Sequence, residues 1–401
     1  MKKIKLNDIV KVNQSGEWGT GLKEGEIGTK VIRTADFNND GSINYDNVIF
    51  RNIQQKKIDE KKLIYGDIII EKSGGTDKNP VGRVVFFNDD NNIYLSNNFT
   101  QVIRIKESMN SKFVFYNLYF NYKNGSTLQM FNKTTGIQNL QMKQFLNQKI
   151  SYISLEEQEI AVRKLDNVRN IIEIKQKQLQ DLDELIKSQF VEMFGDPKSN
   201  DKNWIKAPMG DYMTVLTDFS SNGSYKTLDS KVVMYDEPKY AYMVRTTDLE
   251  NDDYKNNVKY ITEEAYNFLS KSKVYPDDII MNKIGSAGKV YIMPDVGMPV
   301  SLGRNAFLFR YSDDIVPLFI YYLLKSEYGT NEISQYVRGA VTKTITKDDA
   351  RKVKIIVPPI ELQNQFADIV KQIDKQKFEI QKSLEEMQNL QESLMNKYFG
   401  G

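Results

Sequence analysis

The side chains of this chain best suited to chemistry are cations that recur at matched places. Arg33 follows the apolar pair Val31-Ile32, and Arg245 follows Met243-Val244, 212 positions later. A planar guanidinium can grip a phosphate or a guanine with two hydrogen bonds. The plainer alternative is a scaffold ion pair with Asp36 and Asp248, each three residues on. Identity across the two copies favours scaffold or phosphate contact over a contact that selects a base. Lys72 and Lys283 each follow an apolar run and precede a glycine-containing loop, and Arg83 and Lys289 follow those loops. A basic residue beside such a loop suits a phosphate; ordinary loop solubility is the alternative. Lys133, Arg338 and Lys343 lie in loops near Gly136 and Gly339 and carry the same two readings. Arg304 in Ser301-Leu302-Gly303-Arg304-Asn305 joins them, and Asn305 has the amide that can pair with adenine.

Other chemistries lack their residues. The chain has no His and no Cys. Disulfides, cysteine-ligated zinc, thiol catalysis and the Ser-His and Cys-His arrangements are therefore excluded, and the composition fits a reducing cytoplasm. A DNA adenine methyltransferase needs an Asn/Asp-Pro-Pro-aromatic loop for the flipped base. The only Pro-Pro here, Pro358-Pro359, stands between Val357 and Ile360. Gly16-Glu17-Trp18-Gly19 and Gly74-Gly75 are too short to be a cofactor loop. For a nuclease, Glu60-Lys61-Lys62 lacks an upstream strand and Glu173-Ile174-Lys175 falls on a helical seam. An enzyme with unrecognised motifs stays as an alternative, as does a coiled-coil scaffold that binds no nucleic acid.

The elements that must position these cations are also doubled. A heptad seam runs through Leu165, Val168, Ile172, Leu179, Leu182 and Ile186 and ends at Phe194-Gly195-Asp196-Pro197. Displaced by 205, a second seam runs through Val370, Ile373, Ile380, Leu384, Met387 and Leu394 and ends at Phe399-Gly400. Glu156 and Gln158 match Glu361 and Gln363 at the two helix entrances. Ahead of each helix lies a mixed α/β segment. The block Gly66-Asp67-Ile68-Ile69-Ile70 has its partner in Asp277-Asp278-Ile279-Ile280-Met281, and Gly82-Arg83-Val84 in Gly288-Lys289-Val290. Strand candidates are Val31-Ile32-Arg33-Thr34, Ile68-Ile69-Ile70 and Val84-Val85-Phe86-Phe87, with Gly74-Gly75 and Asn88-Asp89 as turns. Residues 113–122 are aromatic at the spacing of a packed helix. The strand-like blocks agree between halves and the loops do not, which is one scaffold aimed at two targets.

The spacing gives segments 1–152, 153–195, 196–203, 204–357 and 358–401: reader, helix, linker, reader, helix. Residues 1–152 hold 22 Lys+Arg against 15 Asp+Glu, and residues 204–357 hold 20 of each, so the first reader alone has the charge of a polyanion binder. No apolar run reaches the roughly 18 residues of a membrane span. Two such helices related by a perpendicular pseudo-two-fold axis run antiparallel and carry one globular segment at each end. The expected class is α+β: two α/β domains and an antiparallel coiled coil.

This pattern resembles the specificity subunit of type I restriction–modification systems over the whole chain. Leu155-Glu156-Glu157-Gln158, Val357-Pro358-Pro359-Ile360-Glu361-Leu362-Gln363, the stretch 185–197 and Gly339-Ala340 carry the resemblance. The first half departs from it where Tyr152-Ile153-Ser154 replaces prolines and Thr134-Thr135-Gly136 replaces Gly-Ala. The resemblance implies a non-catalytic cytoplasmic adapter on double-stranded DNA, each target-recognition domain reading one half of a split site. It also implies docking of two methyltransferase subunits and of restriction subunits. The chain would hold no cofactor, since S-adenosylmethionine belongs to the methyltransferase.

Overall fold

The structure, a computed structural model, describes residues 2–134 and 136–400. Thr135, in the segment set against Gly339-Ala340, lies outside them. The chain forms two compact units: residues 1–177 with 381–401, and residues 178–380.

In the first unit a four-stranded antiparallel sheet has the spatial order Val10–Ser15, Thr100–Ile105, Ile68–Glu71, Val84–Phe86. The run Ile68-Ile69-Ile70 is wholly apolar because its strand is covered on both faces. Ile68 and Ile70 enter one core with Phe113 and Phe115, while Ile69 enters another with Ile32, Phe87 and Tyr94. A second sheet, ordered Ile49–Arg51, Thr29–Ile32, Tyr94–Ser96, supplies that other core. The aromatic stretch is the helix Ser111–Lys123, begun by the Asn110 side chain, which accepts from the backbone N–H of Lys112 and Phe113.

Two local expectations change. The strand at Val31 stops at Ile32, because the Asp36 carboxylate accepts the Arg33 N–H at 2.7 Å and turns residues 34–36 into a 3₁₀ helix. Gly74 is not in a turn; Ser73–Gly74 is a short strand paired with Ile137–Leu140.

The second unit repeats the plan. Its four-stranded sheet is ordered Met213–Asp218, Ala306–Tyr311, Ile279–Asn282, Val290–Ile292. Ile279 and Met281 face one core and Ile280 the other. Even the bulge recurs, at Val10/Val12 and at Met213/Val215. In each unit the first strand pairs with the last one before the long helix: Lys2–Lys5 with Lys149–Tyr152, and Ile205–Pro208 with Lys354–Val357. The globular segment is thus clasped shut at its helix entrance.

The long helices, Leu155–Phe194 and Ile360–Phe399, have 40 residues each. All twelve seam residues named above are buried or half-buried. In the second unit Phe194 meets Phe366, and Lys377 Nζ lies 2.6 Å from Asp183 Oδ1. Numbers fall along one helix as they rise along the other, so the pair is antiparallel. In the first unit Val162 and Leu165 of one long helix share a core with Met395 and Phe399 of the other. The ends of the helices are held by aromatic rings the seam does not include: Phe190 and Phe194 pack on Phe319, and Phe399 on Phe113 and Phe120. No helix among the described residues is long and apolar enough to cross a membrane.

Candidate nucleic-acid interface

Arg33 and Arg245 have the same surroundings in the two units. Arg33 Nη2 donates to Asp36 Oδ1 at 2.8 Å and to the Asn47 carbonyl at 2.8 Å. Arg245 Nη2 donates to Asp248 Oδ1 at 2.6 Å and to the Asn257 carbonyl at 2.6 Å. The bond to the aspartate raises each guanidinium above its ordinary value, against the opposing effect of burial. Asp36 and Asp248 are buried, so each arginine is committed to a carboxylate inside its own turn. Arg83 is committed as well. Its Nε donates to the buried Glu71 carboxylate at 2.6 Å and its Nη2 to the Thr34 carbonyl at 2.9 Å, tying the glycine loop to the turn after Arg33.

The lysines differ between the units. Lys72 Nζ reaches the Ser15 hydroxyl at 2.5 Å and, among the described residues, meets no carboxylate. Burial pulls its ammonium below the ordinary lysine value, and the nearby Lys61 adds to the effect. Its counterpart Lys283 bonds Asp218 Oδ2 at 2.7 Å, and Lys347 holds the other oxygen of that carboxylate at 2.9 Å. Burial alone would raise Asp218; the hydrogen bonds from Lys283, Lys347 and Ser221 outweigh it and bring the carboxyl down to about 2.

Lys133 and Lys343, expected in loops, stand in short strands instead, and strand pairing gathers them with other candidate cations. The strand Phe131–Thr134, which carries Lys133, lies in one three-stranded sheet with Ile137–Leu140 and Ser73–Gly74, the strand that follows Lys72. Lys133 pairs with the exposed Asp77 at 2.8 Å. In the second unit Ile284–Gly285, just after Lys283, pairs with Lys343–Thr344, and Arg338 bridges Thr344. Arg338 also reaches Asp349 at 3.3 Å. Lys289 and Lys343 are exposed, and neither meets a carboxylate among the described residues. Arg304 stands apart, paired with Asp229 and lying over the Phe219 ring at 5.4 Å. Asn305 turns the chain at a φ of 70°, with its side chain exposed and its carbonyl accepting from Lys283 N–H at 2.8 Å. Of these candidate cations Lys72, Lys289 and Lys343 are the three that meet no carboxylate among the described residues. Among the described residues no cluster of acidic side chains could hold a metal ion.

The sequence matches the type I restriction modification DNA specificity domain twice, over residues 1–184 and 213–388. The chain belongs to that family. It is a specificity subunit, the non-catalytic DNA-recognition component of such systems. It is 26% identical over 317 residues to the type I restriction enzyme MjaVIII specificity subunit of Methanocaldococcus jannaschii, covering 74% of this chain and 72% of that relative. It is 24% identical over 412 residues to the putative MjaX specificity subunit of the same organism, covering 96% and 91%. The fold matches the crystal structure of the type I system S subunit from M. genitalium, with a TM-score of 0.60, 14% identity and coverage of 99% and 96%. A second solved structure, described as the structural basis of complex assembly and conformational transition of the type I restriction–modification system, matches with a TM-score of 0.54 at 16% identity, covering 99% and 97%.

Two half-buried pairs of this specificity subunit are not among the residues its sequence singled out. Arg104 forks onto Asp67 at 2.8 and 2.9 Å, and Arg310 onto Asp278 at 2.6 and 2.7 Å. The signal was there: both aspartates open the repeated strand block, and both arginines stand at one polar position of a matching apolar strand.

Proposed function

We propose that the chain recognises a split duplex DNA sequence, one half-site for each globular segment, with the gap fixed by the helix pair. The observation that carries this reading is the doubling itself: one strand order built twice, each copy clasped to a helix of 40 residues. A helix of that length spans about 60 Å at 1.5 Å per residue. Half-sites one DNA turn apart lie about 34 Å from centre to centre, so the helices have the scale needed. Cations that meet no carboxylate among the described residues, above all Lys72, Lys289 and Lys343, contact the phosphates. The loops that differ between the units select the bases.

On this reading the helices also dock two methyltransferase subunits, which restriction subunits join in the cytoplasm. Ile174, Val191 and Phe378 are 57%, 56% and 67% exposed on the long helices, apolar surface that a partner would cover. S-adenosylmethionine would be held by the methyltransferase subunits. The alternative of a scaffold that binds no DNA predicts no salt-dependent affinity of the assembled complex for duplex DNA, whereas phosphate contacts give a steep one.

The test is an insertion. Adding four residues to both helices lengthens each by about 6 Å. The gap in the methylated sequence should then grow by roughly two base pairs of 3.4 Å each. An unchanged gap in a folded complex would overturn the reading.

A further inference from the structure

We infer that Gln158 and Gln363 are positioning residues that set the angle between each recognition segment and its helix, and so confine the gap between half-sites to one length. This rests on the split-site reading above. Both glutamines are 0% exposed, each in the first turn of its long helix. Gln158 Oε1 accepts the Asn110 N–H at 2.8 Å, and its Nε2 donates to the Ile153 carbonyl at 2.8 Å. Gln363 Oε1 accepts the Val316 N–H at 2.9 Å, and its Nε2 donates to the Pro358 carbonyl at 2.8 Å and the Asp314 carbonyl at 3.0 Å.

The partners have equivalent places in the two units. Asn110 and Val316 are the capping residues of Ser111–Lys123 and Pro317–Lys325, the globular helices that pack on the long ones. Ile153 and Pro358 lie five residues before the glutamines, in the chain entering the helix. One side chain of the long helix therefore bonds both the globular segment and the chain that enters the helix at a single point. The joint also holds apolar contacts, Phe113 with Leu165 and Phe319 with Phe366 and Val370 in their cores. Those contacts supply adhesion, but apolar contact has no direction. Hydrogen bonds weaken steeply once bent, so the amide is the part of the joint that resists tilting.

The tolerance is narrow. A domain of about 150 residues has a radius of gyration of about 15 Å. A tilt of about 13° at its base moves its centre by about 3.4 Å, the rise of one base pair. A joint that holds a single gap must keep its angle to within less than that.

The experiment uses the full chain with its methyltransferase subunits and the near-isosteric variants Gln158→Met and Gln363→Met. Methylated sites are sequenced in cells, and hydrogen exchange at Asn110 and Val316 is followed in the wild-type complex. The wild type should methylate one gap, and each variant should keep both half-site sequences while its preference for that gap over a gap one base pair longer or shorter falls about tenfold. The Asn110 and Val316 amides should exchange as slowly as those of the long helices. A wild-type motif with no fixed gap overturns the split-site reading and this inference with it. A fixed gap left unchanged by both folded variants, or loop-like exchange at the two amides, overturns this inference alone.

Discussion

The rings of Phe194 and Phe366 lie 5.4 Å apart with their planes at 77°, joining the last turn of one long helix to the first turns of the other. Both are almost wholly buried, and both touch further rings, Phe194 that of Phe319 and Phe366 that of Tyr322. The seam runs beside these rings rather than through them. The helix pair is therefore anchored by its recognition segment as well as by its heptads.

Phe194→Ala should destabilise the second unit by about 3–5 kcal/mol, the usual cost of removing a buried phenyl ring. Leu185→Ala, about two and a half turns earlier on an exposed face, should cost less than about 0.5 kcal/mol. Urea denaturation followed by circular dichroism measures both.

Arg33 and Lys72 should fail in different ways. Arg33→Ala leaves the buried Asp36 carboxylate without its guanidinium. Stability should fall by about 1–3 kcal/mol, while the salt dependence of DNA binding stays as it was. Lys72→Ala removes a cation that meets no carboxylate among the described residues, and the slope of log affinity against log salt should become shallower by about 1. Titrations of the assembled complex at several salt concentrations separate the two.

The Asp218 carboxyl, at about 2 in the folded chain against an ordinary 3.8, makes the second unit acid-sensitive. A lowered folded value means that the stabilisation is fully present above the ordinary value and is lost as pH falls through about 2. Asp218→Asn should therefore be clearly less stable than the wild type near neutral pH. Below about pH 2 the difference should shrink. Denaturation midpoints of both proteins across this range give the comparison.

Much of the architecture was legible because duplication writes each signal twice. The 205-residue displacement of the helices, the repeated strand block at Ile68 and Ile279, and the entrance glutamines all survived as matched pairs. The candidate interface was less legible, since a cation's availability depends on what faces it. Lys72 and Lys283 stand in the same sequence context, yet one meets Ser15 and the other Asp218, residues 57 and 65 positions away. Arg83 and Lys289 look equivalent, but Glu71 occupies the strand position beside Arg83 while Asn282 stands at that place in the second half. The aromatic anchors were missed because a heptad count follows one stripe, whereas the helix ends face the globular segments.

The central claim is that two independent readers share one frame, and exchange of a reader tests it most directly. Residues 1–152 would be replaced by the corresponding segment of another specificity subunit, and methylated adenines sequenced in cells carrying the hybrid with its methyltransferase. One half of the methylated sequence should change, with the other half and the gap between them preserved. A change in both halves, or in neither, would contradict it.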